Sequence, residues 1–395
     1  MKVLQINATY GLGSTGTIVR DLKECCEANG IECYVAYAKT SEKVERGYKI
    51  GNWFFNKLHA LLARIAGKQA YFSVVPTLMF IRFMNKLQPD VVHLHNLHSN
   101  YINLPMLLKY LAKNDIRTII TLHDCWWYTG GCCHYMLANC NKWLDMCGNC
   151  PKKKQDRFLI DKSVNVLSDR KELLLSIPRL TIVGVSEWVS AQARQSFLLS
   201  VDITTIYNGI DLTVFKPTPS TLKQKLGLEG KYIILGPASK WLQPYNKDLL
   251  DYFSANMKSD EILLLYGAET ANVKLSSNIY LYPYTTNRCE LTKLYSCADI
   301  FVNPSYEDTL SLINLEAQAC GTPVITYNLT GTKETVDGQV SLSVCPNDFE
   351  QIIKVNSQIR NLSDKNNLVR DFIKDKFNLN LSTGKYVELY NSTHN

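Results

Sequence analysis

Short apolar runs alternate with helix-length amphipathic stretches along this chain, the pattern of doubly wound α/β domains. Val3 to Asn7, Ile31 to Ala38, Pro89 to His95, Thr118 to Leu122 and Leu180 to Val185 read as strands in the first half, and Ile203 to Tyr207 leads on to Asn208-Gly209-Ile210-Asp211. Tyr232 to Leu235, Glu261 to Tyr266, Ile279 to Tyr282, Asp299 to Asn303 and Val324 to Thr326 read as strands in the second. A Gly-rich turn, Gly11 to Gly16, opens an amphipathic helix through Ile18, Leu22, Cys25 and Cys26 to Asn29-Gly30. Strand, glycine turn and helix start can cradle an anion on bare backbone N–H groups, although a plain tight turn reads the same way. Ser186 is a good N-cap for the helix after Val185. Phe215-Lys216-Pro217-Thr218-Pro219 is a linker by composition.

One stretch organises the second half: Asn303 to Tyr327, NPSYEDTLSLINLEAQACGTPVITY. Asn-Pro ends a strand, and a helix follows with Leu310, Ile313, Leu315, Ala317 and Ala319 as its apolar positions. Cys320-Gly321-Thr322-Pro323 stops it. Asp308 would sit at the rim where strand carboxyl ends face a ligand crevice, with Glu316 about two turns further along the same side. Acceptor-only carboxylates so placed suit sugar or ribose hydroxyls.

A length of 395 residues allows two or three domains. The net charge of +7 is uneven: residues 1–207 carry 25 Lys+Arg against 16 Asp+Glu, and residues 208–395 carry 18 against 20. Between Glu45 and Asp90 there is no acid, while Arg46, Lys49, Lys57, Arg64, Lys68, Arg82 and Lys86 interleave with bulky apolar residues at helical spacing. That is the pattern of a helix lying in an anionic lipid interface; the other reading packs these helices on the sheet and leaves their cations solvated. No nucleic-acid-binding module is evident. Met1-Lys2 runs straight into a strand and no apolar run reaches membrane-spanning length. The thirteen Cys are therefore expected in a reducing cytoplasm, as thiols or metal ligands.

Six Cys fall within Cys125 to Cys150. Cys147-x2-Cys150 is a zinc-knuckle spacing, with Gly148 allowing the tight turn, and Cys132 and Cys140 could complete a tetrahedral site. Cys125, Cys133 and His134 are substitutes, and unliganded thiols around Trp126, Trp127 and Trp143 are the alternative. The run Lys152 to Lys154 reads as solvated surface. Polar residues cluster where strands end: His95, Asn96 and His98 after one, His123-Asp124 after another.

These residues carry a resemblance. The stretch from Asn303, the His123-Asp124 pair with its Cys and Trp pattern, and Asn208-Gly209-Ile210-Asp211 resemble family-4 glycosyltransferases of the GT-B fold, in the exopolysaccharide and O-antigen (colanic-acid-type) branch. The family's E-x7-E pair becomes Asp308 and Glu316, preceded by Glu307, and its Phe-Gly becomes Leu310-Ser311. Which of Glu307 and Asp308 faces the donor sugar stays open. The resemblance implies two Rossmann-like domains facing across a cleft, with a Cys-rich insertion in the first: an acceptor-side domain over 1–207, a nucleotide-sugar domain over 208–375, and a C-terminal helix over 376–395 returning to the first. It implies metal-independent, retaining chemistry in that cleft, with His123, Asp308 and Glu316 in the reaction site. Donor contacts are implied from Gly13, Ser239, Lys240, Lys247, Glu307, Thr309, Leu310, Leu312 and Glu316. Asn246 stands where the family has Arg, and Lys240 is a candidate for the missing charge. Tyr284 and Thr285 lie where the base is gripped, and Thr330 to Val336 resembles the family's Gly-rich loop.

The expected function is transfer of a sugar from a UDP- or GDP-linked donor to a lipid-linked glycan acceptor, by a cytoplasmic enzyme peripheral on the inner membrane face, with a possible structural zinc. The rivals are a GT-B nucleotide-sugar epimerase and a membrane-docked, zinc-containing scaffold with a degenerate site.

Overall fold

The computed structural model describes residues 1–153, 158–270 and 275–392; Lys154, last of the expected lysine run, lies outside them. The chain divides into two compact units, Met1–Tyr207 with Ser382–Asn395, and Asn208–Leu381.

Unit 1 holds a seven-stranded sheet: β1 (Lys2–Tyr10), β2 (Glu32–Thr40), β3 (Gly47–Lys49), β4 (Val91–Leu94), β5 (Arg117–Leu122), β6 (Leu180–Gly184) and β7 (Asp202–Thr205). Their order is β3-β2-β1-β4-β5-β6-β7, and every pairing is parallel. β4 and β5 are buried at every position, as central strands covered by helices on both faces must be. The winding reverses between β1 and β4, which opens a crevice at their carboxyl ends. The Leu379–Asn391 helix closes one face, where Tyr386 and Tyr390 join the core of Val3, Ile119 and Val183.

Unit 2 holds β8 (Tyr232–Pro237), β9 (Glu261–Tyr266), β10 (Ile279–Tyr282), β11 (Ile300–Asn303), β12 (Val324–Tyr327) and β13 (Leu342–Val344). The order is β10-β9-β8-β11-β12-β13, again all parallel. Its reversal lies between β8 and β11, so the loops at Ala238 and Pro304 flank its crevice.

The helices Trp53–Ala66 and Val74–Leu87 form as their spacing predicts, the first capped by Asn52, whose side chain accepts from Phe55 N. They bury one face, His59 and Ala63 on the first and Phe80, Met84 and Leu87 on the second. The opposite face is exposed and also apolar: Trp53, Phe54, Leu58, Leu61 and Ile65, then Val74, Val75, Leu78 and Met79. Among the described residues, two of the seven cations between Glu45 and Asp90 are engaged in ion pairs, Arg46 with Glu27 at 3.4 Å and Lys68 with Asp169 at 3.1 Å. Among the described residues no helix is long and apolar enough to cross a membrane.

Candidate functional site

In unit 2 the helix after β11 is Leu312–Ala319, so Leu310 lies in the loop before it, buried, and Glu316 sits in the second turn rather than two turns beyond Asp308. The buried face also differs from the apolar reading. It contains Asn314 and Gln318, while Ile313 is half-buried. The reason is a line of side-chain amides under the loop. Asn303 Nδ2 donates to Ser311 Oγ at 3.0 Å and to Asn314 Oδ1 at 2.8 Å; Asn314 Nδ2 donates to Thr335 Oγ1 at 2.9 Å. Gln318 Nε2 reaches Thr335 O at 2.7 Å. These bonds fix where the helix starts and tie it to the 3-10 turn Thr330–Thr335. The helix start that sequence periodicity placed at Leu310 is thus set by polar contacts that periodicity does not see.

Glu316 accepts a hydrogen bond from Tyr295 Oη at 3.0 Å, and Tyr295 Oη meets Tyr266 Oη, at the end of β9, at 3.2 Å. Burial pushes the Glu316 carboxyl up to about 7, against the opposing pull of the Tyr295 hydrogen bond and the Arg288 charge. Glu307, Asp308 and Thr309 share the loop; both acids are half-buried, and Asp308 O accepts from Gly331 N at 3.2 Å.

Ser239 and Lys240 follow β8 and face outward, exposed and half-buried respectively. Asn246, where the resembling family has Arg, is 1% exposed, and both its amide protons are committed: to Lys240 O at 3.0 Å and Pro304 O at 2.9 Å. It staples the two loops of the crevice together and is not a phosphate ligand. Asn246→Ala should cost about 1–3 kcal/mol by leaving both carbonyls short of a donor. An unchanged unfolding midpoint in urea would remove the staple role. Lys247, beside it at the surface, is ion-paired with Asp251 four residues on.

In unit 1, Gly13 opens the Gly13–Ala28 helix with φ +67°, and nothing lies within 4 Å of where a Cβ would point. Room beside backbone N–H groups is what an anion site needs. His123 follows β5, half-buried, and burial lowers its pKa to about 4, so its ring is neutral at pH 7. Its Nε2 lies 3.0 Å from His95 Nδ1, and His95 Nε2 lies 3.1 Å from Gln5 Oε1.

The tautomers follow from this line. Gln5 Nε2 donates to Val19 O at 3.2 Å, so Gln5 Oε1 must accept from His95 Nε2–H. Burial also keeps His95 neutral, which leaves His95 Nδ1 as an acceptor and puts the His123 proton on Nε2. Asp124, next in sequence, is turned elsewhere: it takes His98 Nε2 at 3.0 Å and Trp126 N at 2.8 Å. Burial alone would raise its pKa, and the His98 and Trp126 contacts more than offset that. Sequence reasoning noted His95 but missed Gln5; the signal was an amide inside the apolar run of β1.

Cys132, Cys140, Cys147 and Cys150, all half-buried, line one cavity of about 40 Å³ together with Trp143 and Gly148, the latter at φ +153°. Among the described residues, the side chains whose ligand atoms already lie within 4.8 Å of one another are a different set, His98, Asp124 and Cys133.

Two doubly wound parallel sheets, each with a crevice at the carboxyl ends of its strands, give the two Rossmann-like units of the GT-B fold. Sucrose-phosphate synthase from Thermosynechococcus elongatus superposes over 98% of both chains with a TM-score of 0.70 at 17% identity. HepE from Anabaena in complex with UDP-glucose does so over 98% of this chain and 99% of that one, with a TM-score of 0.63 at 13% identity. Residues 15–155 match Glycosyltransferase Family 4, and residues 247–360 match Glycosyl transferases group 1. WcaC of Escherichia coli K12, named as a colanic acid biosynthesis glycosyl transferase, is 23% identical over 309 residues, 76% of this chain and 70% of that one. The chain belongs to glycosyltransferase family 4: it is a retaining glycosyltransferase that uses a nucleotide-sugar donor.

Proposed function

We propose that this enzyme moves a hexose from a UDP- or GDP-linked donor to a lipid-linked glycan during surface-polysaccharide synthesis, at the inner face of the cell membrane. The observation that carries the donor half is Glu316, a half-buried carboxyl held by Tyr295 beside the β8/β11 crevice. Its two oxygens suit the vicinal hydroxyls of a ribose. Asp308, with Glu307 as the alternate, holds the donor sugar; Thr309, Leu310 and Leu312 line the same loop and helix start. The diphosphate lies by Ser239, Lys240 and Lys247. Lys247 must exchange Asp251 for phosphate. His123 contacts the donor sugar near the reacting carbon. The complex of HepE with UDP-glucose and the colanic acid biosynthesis name of the WcaC relative support the donor and pathway assignments.

The acceptor half rests on the exposed apolar stripe of the Trp53–Ala66 and Val74–Leu87 helices. It is flanked by exposed Lys57, Arg64, Arg82 and Lys86 with no acid between Glu45 and Asp90. Such a face gains about 1 kcal/mol per cation near an anionic bilayer, besides its apolar burial. In vesicle sedimentation the protein should bind phosphatidylglycerol-containing liposomes and not neutral ones. Phe54→Ser with Leu61→Ser should weaken that binding at least about tenfold, since each buried apolar side chain is worth about 1.5–3 kcal/mol. Equal binding to both lipids, or none, contradicts the reading.

A structural zinc on Cys132, Cys140, Cys147 and Cys150 belongs to the same proposal. The chemistry of the donor set fits that ion, which would staple an insertion poor in aliphatic core.

A further inference from the structure

Beside the Cys-rich segment lies a buried charge that forms no ion pair among the described residues. Arg170, on the Ser163–Leu175 helix, is 2% exposed. Its Nη1 donates to Thr129 O at 2.6 Å and to Trp126 O, and its guanidinium lies 3.9 Å over the Trp126 ring. Nε and Nη2 have no hydrogen-bond partner among the described residues. A guanidinium taken out of water without an anion is strongly disfavoured. Among the described residues, Tyr71, Cys132, Cys147 and Asp124 are the ionisable groups that most favour its charge, which burial disfavours. Tyr71 is a phenol already donating to Asp169 at 2.9 Å, and Asp124 is committed to His98 and Trp126 N. The sulfurs of Cys132 and Cys147 are what remain.

Both belong to the four-cysteine cavity. Among the described residues its one carboxylate, Asp161, accepts from Cys150 N at 2.7 Å and Ser163 N at 2.9 Å. Lys142 Nζ donates to Gly148 O at 2.9 Å and Asn149 O at 3.1 Å, inside the Cys147–Cys150 knuckle. Gly130 lets the chain pass over Cys147: a Cβ there would come within 2.9 Å of its sulfur.

We propose that Cys132, Cys140, Cys147 and Cys150 bind one divalent ion of the zinc class as four thiolates, and that buried Arg170 is the fixed counter-cation of this anionic site. The inference rests on the structural-zinc reading above and adds the charge state of the site and its second-sphere residue. Four thiolates around one dication leave a dianion, which answers the uncompensated guanidinium. No three of these sulfurs yet lie within 4.8 Å of one another, so binding draws them together across the cavity to about 2.3 Å from the ion. As the four S–metal bonds form, the four thiol protons pass to solvent.

The test uses the full chain. Purified protein should carry one zinc by elemental analysis, and its cobalt(II)-substituted form should show thiolate-to-metal charge-transfer absorption that Cys147→Ser diminishes and Cys133→Ser leaves intact. Arg170→Met should weaken zinc affinity, measured by chelator competition, about 10–100-fold, the usual effect of losing a second-sphere partner. Arg170→Lys, which keeps the charge, should recover most of it. Well under one zinc per chain with four freely reactive thiols overturns the metal site itself. A zinc lost in Cys133→Ser but kept in Cys147→Ser overturns the ligand set in favour of His98, Asp124 and Cys133. Zinc bound as tightly in Arg170→Met as in the wild type overturns the counter-cation alone, and so does equal weakening in the Lys and Met variants.

Discussion

Replacing His123 with alanine is expected to lower the rate of sugar transfer about a hundredfold, within the range usual for a positioned side chain acting in the transition state, while nucleotide affinity stays near the wild-type value. The ring is neutral, its Nε2 proton is directed to His95, and His95 is held in turn by Gln5. In the proposed role, a histidine fixed this way would meet the donor sugar as a preorganised group, with no reorientation as charge develops at the reacting carbon. Its contribution falls on turnover rather than on ground-state binding. UDP and GDP titrations beside single-turnover transfer rates separate the two. A variant that transfers sugar at the wild-type rate would remove His123 from the site, and one that loses nucleotide affinity in proportion to rate would make it a binding residue.

Glu316→Ala should do the opposite: weaken nucleotide binding tenfold or more, because losing an acceptor for buried hydroxyls costs about 1–3 kcal/mol. Glu316→Gln sharpens the test through pH. The wild-type carboxyl ionises near 4.5 when unfolded and at about 7 in the folded protein. The folded state therefore holds the extra proton between those values. The stability this brings is complete below 4.5 and lost as pH rises through 7. Glutamine mimics the protonated acid, so the variant should match the wild type near pH 4.5 and melt at a higher temperature than wild type above pH 7. Ligand binding runs the other way, since ribose hydroxyls donate to the carboxylate: wild-type nucleotide affinity should rise between pH 6 and 8, and that rise should vanish in Glu316→Gln. Parallel melting curves at all pH values, or a pH-independent wild-type affinity, would contradict the assignment.

The parts of this protein that were legible in its sequence are those governed by apolar runs. The central strands β1, β4, β5, β8, β9 and β11 fall where short apolar segments stand between helical ones, because a covered parallel strand must be apolar on both faces. The edge strands β3 and β13, three residues each, escaped notice; they are too short to show a period and lie half-exposed. The candidate site was less legible than the sheets because buried amides shape it. Asn303, Asn314 and Gln318 set the start of the Leu312–Ala319 helix, and a pattern of hydrophobic positions counts all three as surface. Asn246 misled in the same way. Judged by sequence it is a missing cation, whereas in the fold it is a buried staple between two loops.

The proposed transfer of a sugar from a nucleotide-sugar donor to a lipid-linked acceptor can be read from its products. Purified protein is incubated with UDP- and GDP-sugars, with and without a membrane lipid extract, and nucleotide and sugar are followed together by NMR. The account predicts that one donor class is consumed only when lipid is present, with one nucleoside diphosphate released per sugar transferred and the donor's anomeric configuration kept in the product. Release of a modified free sugar without any acceptor, or an inverted anomeric centre in the lipid product, would contradict it.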